Sequence, residues 1–241
     1  MIDWHSHVLP GLDDGSRDAE ESIALLEMLR SQGVDTVAAT PHFYPNDESA
    51  ERFLERRAQC IEALRSHLSG DSPRIVVGAE VYYYNGISRM KELPLLKLEG
   101  TRLLLLEMPM CTWSEYTVRE LSELTCRGNM QIVIAHLDRY LKLQKKSTLE
   151  QIFESGALVQ LNAAAFTSFS SRRATISLLK EGRAHFIGSD CHNLTSRAPR
   201  IGEAYDIIRK KLGEDFVSQM TDFGYSCLDR QSPTIDGTEQ N

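Results

Sequence analysis

The sequence lacks several features that mark common classes of protein. No apolar run approaches the roughly 20 residues that a membrane-spanning helix needs, so we predict no transmembrane segment. The N-terminal residues MIDWHSH have no basic region, apolar core or cleavage site of a signal peptide, and we expect a cytoplasmic protein. Neither a G-x-G-x-x-G loop nor a Walker-type loop is present, which excludes the usual dinucleotide-binding and P-loop folds.

Cysteine and positive charge are also scarce. The 241 residues include five cysteines without C-x-x-C spacing, which indicates reduced thiols rather than a disulfide framework. Lysine and arginine number 27 against 34 aspartates and glutamates, and the formal net charge of -7 argues against a nucleic-acid partner bound through its phosphates. An anionic substrate would therefore need bound cations or a local arginine cluster.

The sequence does contain seven apolar runs that each end in a residue able to bind a metal or contact a phosphate. Segments with helical periodicity separate the runs, so the elements alternate β, α along the chain. Strands without polar alternation are typical of parallel sheets that helices cover on both faces. The runs end at His5 and His7, at His42, at Glu80, at Glu107, at His136, at Asn162, and at Asp190 with His192.

The helical segments carry their own start and stop signals. Asp18 and Glu21 form a capping-box pattern before the first helix, and Gly33 lies where that helix should end. Other helices are predicted over a segment that ends before residue 70, and over residues 114–127, 148–154, 172–181 and 201–212.

Seven such units fit a closed or nearly closed α/β barrel better than a doubly wound sheet. A doubly wound sheet gathers its ligands at one switch point, whereas here almost every predicted strand ends in a candidate ligand. We predict one barrel domain over residues 1–220. The remaining residues 221–241, with the polar and breaker-rich end SPTIDGTEQN, are predicted to form a loosely ordered tail.

The candidate ligands form a mixed set of imidazoles and carboxylates. His5 and His7 can chelate one ion, because side chains two residues apart lie on the same side of an extended strand. Mixed nitrogen and oxygen donors suit Mn, Fe or Zn, and nine donors require two or three ions with a carboxylate such as Glu80 bridging. His67 and His185 are assigned to structural roles. The predicted ligands are His5, His7, Asp14, His42, Glu80, Glu107, His136, Asp190 and His192.

The same residues resemble the motifs of the polymerase and histidinol phosphatase (PHP) superfamily. The similarity runs from residue 1 to about residue 212 and is greatest to the capsular-polysaccharide branch. Members of that branch are bacterial, manganese-dependent enzymes that dephosphorylate the tyrosine kinases of exopolysaccharide export. The motifs are HSH near the N-terminus, TPH at 40–42, GAE at 78–80, AHLDRY at 135–140 and GSDCHN at 188–193.

The resemblance implies a fold, a metal centre and a substrate. The fold is a distorted, TIM-like (β/α)7 barrel, and the nine candidate ligands hold three metal ions, with Mn expected and Fe, Zn, Co or Mg as substitutes. Arg139 and Arg197 are implied to hold the substrate phosphate, which their forked donors suit; the alternative is that both are surface arginines paired with carboxylates. The implied substrate is a phosphotyrosine protein, in particular the tail of a bacterial tyrosine kinase.

Aromatic side chains near the predicted strand ends have two interpretations. Tyr82, Tyr83 and Tyr84 follow Glu80, and Trp113 follows Glu107, so they could flank an aromatic substrate or pack in the core. The sequence does not decide between these roles, and it does not predict an oligomeric state.

Other functions use parts of the same sequence. Cys191 and Arg197 match the C-x5-R spacing of cysteine-dependent tyrosine phosphatases. However, the segment between them has no glycine, and period two points Cys191 away from the neighbouring ligands. The remaining alternatives are a PHP-type phosphoesterase for a small phosphomonoester such as histidinol phosphate, a nuclease-like member, and a non-catalytic, metal-stabilised regulatory binding protein.

Overall fold

The computed structural model describes residues 1–127 and 129–228 of the chain. Strands and helices alternate along most of this part, as the hydrophobic pattern predicts. The strands are β1 (Ile2–Ser6), β2 (Thr36–Ala39), β3 (His42–Phe43), β4 (Arg74–Val77), β5 (Glu80–Tyr82), β6 (Leu103–Glu107), β7 (Gln131–Ile134), β8 (Leu158–Asn162) and β9 (Phe186–Gly188). The helices are α1 (Ala19–Ser31), α2 (Ala50–Arg65), α3 (Glu115–Cys126), α4 (Lys146–Glu154), α5 (Ala163–Thr167), α6 (Arg172–Lys180), α7 (Ile201–Leu212) and α8 (Glu214–Leu228), and three short 3-10 helices cover Ile87–Arg89, Leu93–Leu96 and Leu137–Arg139.

All strand pairs are parallel, and they are divided between two sheets. One sheet has the order β1-β2-β4, and the other has the order β3-β5-β6-β7-β8-β9. Two of the seven predicted runs are each split into two strands, the first at Pro41, which has no N–H to donate, and the second at Gly78. The parallel α/β prediction is confirmed, and the strands pair in two curled sheets.

The inner face of the strands changes from apolar to polar along the chain direction. In β6, Leu103 and Leu105 lie in the smaller of two hydrophobic clusters, and Glu107 follows at the same period of two. In β4 and β5, Val76 of that cluster is followed two and four residues later by Gly78 and Glu80. The alternate residues of the strands, such as those at 104 and 106, pack in the larger cluster together with the helices. The candidate ligands therefore lie on top of a small apolar core.

The last helix covers the opposite end of that small core. Cys227 and Leu228 of α8 are buried in the smaller cluster, and Gly224 lies so close to Trp4 that a Cβ at this position would be 3.1 Å from Trp4 Cζ2. The boundary that the sequence placed at residue 221 therefore falls inside a packed helix, because apolar residues at helical spacing continue beyond it. Residues 229–241 of the predicted tail lie outside the described residues.

Helix positions follow the local signals in the sequence. Asp18 accepts a hydrogen bond from the Glu21 N–H at 2.9 Å at the start of α1, and Gly33 has a φ of 87° just after its end. The predicted helices at 114–127, 148–154, 172–181 and 201–212 correspond to α3, α4, α6 and α7. In the described part of the chain, every helix is too short or too polar to cross a bilayer.

Candidate metal centre

The fold brings all nine predicted ligands into one cluster. Five imidazoles and four carboxylates form four overlapping groups, and within each group the potential donor atoms lie within 4.8 Å of one another. Each group shares two of its members with other groups, so the four groups are linked to one another in a ring. The groups are His7, Asp14, His42 and His192; His5, His7 and Asp190; His5, Glu80 and His136; and His42, Glu80 and Glu107.

The first strand delivers two buried imidazoles side by side. The register of β1 shifts between Asp3 and Ser6, with His5 inside this irregularity, and both His5 and His7 belong to the ligand groups. Their Nε2 atoms are 3.1 Å apart, and both side chains are fully buried. Two imidazole nitrogens at this separation can bind the same ion or two adjacent ions.

Glu80 lies at the middle of the cluster. Its Oε2 atom is 3.2 Å from His5 Nε2, 3.3 Å from His7 Nε2 and 3.0 Å from His42 Nδ1. Its Oε1 atom is 2.8 Å from His136 Nε2. Burial acts to raise the pKa of Glu80, but the charge of His5 and the hydrogen bond with His136 hold that pKa well below its usual range. A carboxylate that reaches four imidazoles is placed to bridge two ions.

Glu107 adds a second carboxylate beside Glu80. Glu107 Oε2 lies 3.7 Å from His42 Nδ1, and Glu107 Oε1 lies 3.7 Å from His136 Nε2. Burial and the negative charge of Glu80 raise the pKa of Glu107 to about 7. A cation between the two carboxylates would remove this repulsion.

Asp14 lies at the open side of the cluster, against the buried His192. Asp14 Oδ1 lies 3.3 Å from His192 Nε2 and 3.5 Å from His42 Nε2, and the Asp14 side chain is 64% exposed. Burial and the charge of His7 lower the pKa of His192 to about 4. His192 is therefore neutral at physiological pH, which is the form of imidazole that binds metals.

The hydrogen bonding within the cluster fits metal ions. Buried polar atoms in folded proteins nearly always have hydrogen-bond partners, whereas six buried side-chain atoms of the described residues make no such bond. One of them is Glu48 Oε2, and the other five belong to predicted ligands. Nitrogen and carboxylate oxygen donors of this kind suit Mn, Fe or Zn. The five ligand atoms are His42 Nδ1, Glu80 Oε2, Glu107 Oε2, His136 Nδ1 and His192 Nε2.

Two residues that sequence reasoning missed orient the imidazoles. Asp13 Oδ2 lies 2.7 Å from His7 Nδ1 and accepts the His42 backbone N–H at 2.9 Å. Gln160 Oε1 lies 3.2 Å from His5 Nδ1 and accepts the backbone N–H of His136 at 2.7 Å. Such contacts fix which ring nitrogen faces the metal. Gln160 could have been found as the one polar residue inside the run ALVQLN, whereas in GLDDG the sequence does not distinguish Asp13 from its neighbour.

The backbone is strained at two of the predicted ligands. Among the described residues other than glycine, only His136 and Asp190 have positive φ, at 33° and 53°. Such conformations are held only where the surrounding structure imposes them, and they occur often at functional sites.

Two glycines allow the chain to pass close to the first histidines. A Cβ on Gly188 would lie 2.5 Å from the His5 Cβ, and a Cβ on Gly15 would lie 2.4 Å from the His7 Cβ. Any side chain at either position would displace an imidazole. Gly188 of GSD and Gly15 at the end of GLDDG therefore allow the close packing of the cluster.

Both predicted phosphate-binding arginines contact the same carboxylate at the edge of the cluster. Arg139 forms an ion pair with Asp190 Oδ2, and Arg197 Nη2 lies 2.8 Å from Asp190 Oδ1. Asn162 Nδ2 donates to Asp190 Oδ2 at 2.8 Å. The two arginine side chains are 34% and 37% exposed, so both are partly accessible, and Arg197 Nη1 lies 3.8 Å from Asp14 Oδ2.

The aromatic residues near the cluster fall into two sets. Tyr83 and Trp113 are buried, and the Tyr83 hydroxyl donates to Glu120 Oε2 at 2.8 Å, so both belong to the core. Tyr82 lies at the rim beside Tyr44, whose ring centroid is 5.6 Å away. Tyr44 was not predicted; its ring stacks on that of His42 at 5.2 Å, and 39% of its surface is exposed.

The alternative cysteine nucleophile is not accessible. Cys191 is fully buried in the larger hydrophobic cluster, and burial raises the pKa of its thiol. The residue also belongs to the backbone link between the first and last strands, because its carbonyl accepts the His7 N–H at 3.0 Å.

We therefore expect that Cys191→Ser retains the phosphatase activity that the resemblance of the motifs implies. The thiol lies away from the open side, and the main cost of the change is about 1–3 kcal/mol of stability, because a hydroxyl replaces a buried thiol. Steady-state kinetics and thermal unfolding of the variant check this. An inactive variant that is folded and still holds its metal would instead favour the thiolate mechanism.

The described fold is similar to solved structures of phosphatases. The structure reported for YwqE from Bacillus subtilis and CpsB from Streptococcus pneumoniae, described as unique metal-dependent tyrosine phosphatases, matches with a TM-score of 0.82 and 25% identity over 96% of each chain. Histidinol phosphate phosphatase from Lactococcus lactis, solved with zinc, histidinol and phosphate, matches with a TM-score of 0.61 over 87% of this chain and 92% of that chain. At 15% identity, this second match shows the fold alone.

Sequence comparison identifies the family. Tyrosine-protein phosphatase CpsB of Streptococcus pneumoniae is 33% identical over 88% of this chain and 91% of its own length. Tyrosine-protein phosphatase YwqE of Bacillus subtilis is 28% identical over 96% and 93%. The family model described as "Capsular polysaccharide synthesis, CpsB/CapC" matches residues 1–223. The chain therefore belongs to the CpsB/CapC family of capsular polysaccharide synthesis.

Proposed function

We propose that this protein is a metal-dependent phosphatase that hydrolyses phosphotyrosine in proteins. The observation that carries the proposal is the convergence of nine nitrogen and oxygen donors with two arginines at their open edge. Relatives that cover most of the chain are named tyrosine-protein phosphatases, which supports this activity over other phosphoesterase reactions.

The nine clustered residues are proposed as the ligands of two or three metal ions. Ions bound by these residues would supply a nucleophile from water at neutral pH and would stabilise the charge on the phosphoryl oxygens. Manganese remains the predicted metal, and Fe, Zn, Co or Mg remain substitutes. Glu80 is the proposed bridge, since it lies within 3.3 Å of three imidazole nitrogens through one oxygen.

The chain's own residues orient the substrate. Arg139 and Arg197 are proposed to bind the phosphate oxygens through the guanidinium donors that do not contact Asp190, and to stabilise the charge of the transition state. Asp13 and Gln160 keep the imidazoles of His7 and His5 in the orientation that places Nε2 in the cluster. A tyrosine leaving group, with a pKa of about 10, needs less protonation than an alkyl alcohol.

The two sheets are proposed to form the distorted (β/α)7 barrel of the PHP fold. Hydrogen bonds between β1 and the segment after β9 support this closure: the Asp190 N–H donates to His5 O at 2.8 Å, and the His7 N–H donates to Cys191 O at 3.0 Å. At the split between the sheets, the Glu80 N–H donates to Pro41 O at 2.9 Å. These bonds join the strand ends on which the ligands lie.

Measuring turnover with and without metal tests the function. We expect the protein to hydrolyse a phosphotyrosine peptide, to lose this activity on chelation and to regain it with Mn²⁺. Histidinol phosphate and single-stranded DNA serve as competing substrates. Faster turnover of histidinol phosphate would favour the small-ester alternative. A metal-loaded protein with no esterase activity, whose melting temperature falls on chelation, would favour the regulatory binding protein.

The tyrosines at the rim are proposed to select aromatic phosphoesters. Tyr44 and Tyr82 line the side of the cluster at β3 and β5, whereas the arginines approach from β7 and β9. A phosphate held by the arginines and the metal would therefore leave the phenyl ring of the substrate free to pack on these two rings.

Replacing Tyr44 by Leu should lower kcat/KM for a phosphotyrosine peptide about tenfold relative to glycerol phosphate, because an aromatic pair contributes about 0.5–1.5 kcal/mol beyond area burial. Tyr44→Phe, which keeps the ring, is the matched control. The ratio of the two substrates separates the ring contact from any disturbance of His42, which would lower both rates equally. An unchanged ratio would contradict the assignment.

A tyrosine kinase of capsule export as the substrate protein remains a prediction, which follows from the resemblance of the sequence motifs to this family. A cytoplasmic location also remains a prediction from the sequence.

A further inference from the structure

A groove beside helices α6 and α7 combines an exposed aromatic ring with positive charge. Phe169, in the loop between α5 and α6, is 95% exposed, which is more than any other large hydrophobic side chain in the described residues. The groove has a volume of about 540 Å³ and is lined by Phe169, Arg172, Arg173, Ile176 and Lys211. We call this the Phe169 groove.

The charge of the groove is opposite to that of the whole protein. Three of its five lining residues are cationic and none is acidic, although the chain carries a formal net charge of -7. Arg173 and Lys211 have no ion-pair partner within the described ranges. Arg172 is fixed in place by hydrogen bonds from its guanidinium to the carbonyls of Phe166 and Thr167, at 2.7 and 2.8 Å. The positive charge of Arg172, Arg173 and Lys211 therefore remains available to an anionic partner.

The groove is close to the metal centre along the chain. Helix α5 begins directly after Asn162, which contacts Asp190, and it has only five residues. At 1.5 Å per helical residue and at most about 3.6 Å for each of the others, Phe169 lies within about 15 Å of Asn162.

Positive charge also continues from the centre toward the groove. Arg200 follows Arg197 by three residues, and its Nη1 lies 3.4 Å from Thr167 Oγ1 at the end of α5. Arg200 is partly neutralised by Glu203 at 3.3 Å. Even so, arginines lie at both ends of the surface between the metal centre and the groove: Arg197 at the metal centre and Arg200 at the end of α5.

We propose that the Phe169 groove binds an acidic segment of the phosphotyrosine protein substrate, with an apolar side chain of that segment packed on Phe169. This inference rests on the proposed phosphatase function. Charge complementarity selects an acidic partner, and the exposed ring selects an apolar residue within it. An extended chain advances about 3.3 Å per residue, so the distance of about 15 Å corresponds to about five residues, and the segment lies roughly four to six residues from the phosphotyrosine.

Kinetics with matched peptides test the proposal. One phosphotyrosine peptide carries a Glu-Leu-Glu-Glu segment six residues from the phosphotyrosine, and the other carries Gln-Ser-Gln-Gln at the same place. For the double variant Phe169→Ser with Arg173→Glu, we expect KM for the acidic peptide to rise about tenfold, as for the loss of a central interface contact. Its kcat, and its kcat/KM for p-nitrophenyl phosphate, should not change.

A control variant separates the groove from general charge effects. Arg52→Glu makes the same charge change at an exposed position of helix α2. The proposal is overturned if this variant raises KM for the acidic peptide as much as the double variant does, or if the double variant has the wild-type KM. It is also overturned if wild-type protein does not distinguish the two peptides at low salt, where charge interactions are least screened.

Direct binding keeps the test independent of catalysis. A fluorescent, unphosphorylated acidic peptide should bind wild-type protein about tenfold more tightly than the double variant, as measured by anisotropy. Binding with no turnover of any phosphotyrosine peptide would refute the proposed function but not the groove. Equal binding to both proteins, or binding of phosphatidylserine vesicles without binding of the peptide, would refute the groove.

Discussion

Glu80→Gln should remove most of the bound metal and lower kcat/KM for a phosphotyrosine peptide by about a thousandfold. One carboxylate oxygen of Glu80 lies within 3.3 Å of three imidazole nitrogens, and the other lies 2.8 Å from a fourth. An amide has one oxygen and no charge, so it cannot bridge two cations between these rings. The loss of about 4 kcal/mol of transition-state stabilisation corresponds to this factor.

Elemental analysis and steady-state kinetics on the same samples check this result. The matched control is Glu62→Gln, which makes the same change on an exposed side chain of helix α2. The control should keep wild-type metal content and activity. A Glu80→Gln enzyme with full metal content and wild-type kcat/KM would contradict the bridging role.

Arg139→Ala and Arg197→Ala should each lower kcat/KM about a hundredfold while metal content stays at the wild-type level. Removing one oriented donor to a transition-state oxyanion typically costs a factor of this size. Both guanidinium groups contact Asp190, and a guanidinium has no acceptor atom with which to bind a metal. Loss of either arginine should therefore weaken the binding of the phosphate and leave the binding of the metal unchanged.

Lysine variants and a double variant sharpen this test. Lysine keeps the charge but not the forked donors, so Arg139→Lys and Arg197→Lys should recover only part of the lost activity. Arg200→Lys, at the nearby arginine that pairs with Glu203, is the control and should be fully active. Because both arginines share Asp190, the double alanine variant should lose less than the product of the two single losses. Loss of metal in the single variants would mean that the arginines maintain Asp190 as a ligand instead of binding substrate.

The convergence of the ligands could be predicted because it depends on two simple periodicities. Parallel strands place their carboxyl ends at one edge of a sheet, and residues two apart share a face. Glu107 therefore follows Leu103 and Leu105 on the inner face, and its position needs no knowledge of distant contacts. The helices could be predicted for the same reason, since caps such as Asp18 act locally.

The features that could not be predicted depend on contacts between distant segments. The split of two runs at Pro41 and Gly78 changes which strands pair, and the hydrophobic pattern contains no information about pairing. The extension of α8 past residue 221 has a local signal in the apolar residues at helical spacing, but the packing of Gly224 against Trp4, more than 200 residues earlier in the chain, has none.

The residues around the ligands were missed for a similar reason. Asp13 and its neighbour Asp14 are identical in type, yet the loop turns the first inward to His7 and leaves the second on the open side. Tyr44 is adjacent to a predicted strand end, but only the structure shows that its ring stacks on His42.

The most direct test of a polynuclear centre is the metal-to-protein ratio of wild-type protein purified without added ions, measured by elemental analysis at a known protein concentration. Nine donors in four overlapping groups predict two to three transition-metal ions per chain, with a reduced ratio in Glu80→Gln. A ratio of one or less in fully active protein would show that the nine side chains do not hold a shared polynuclear centre.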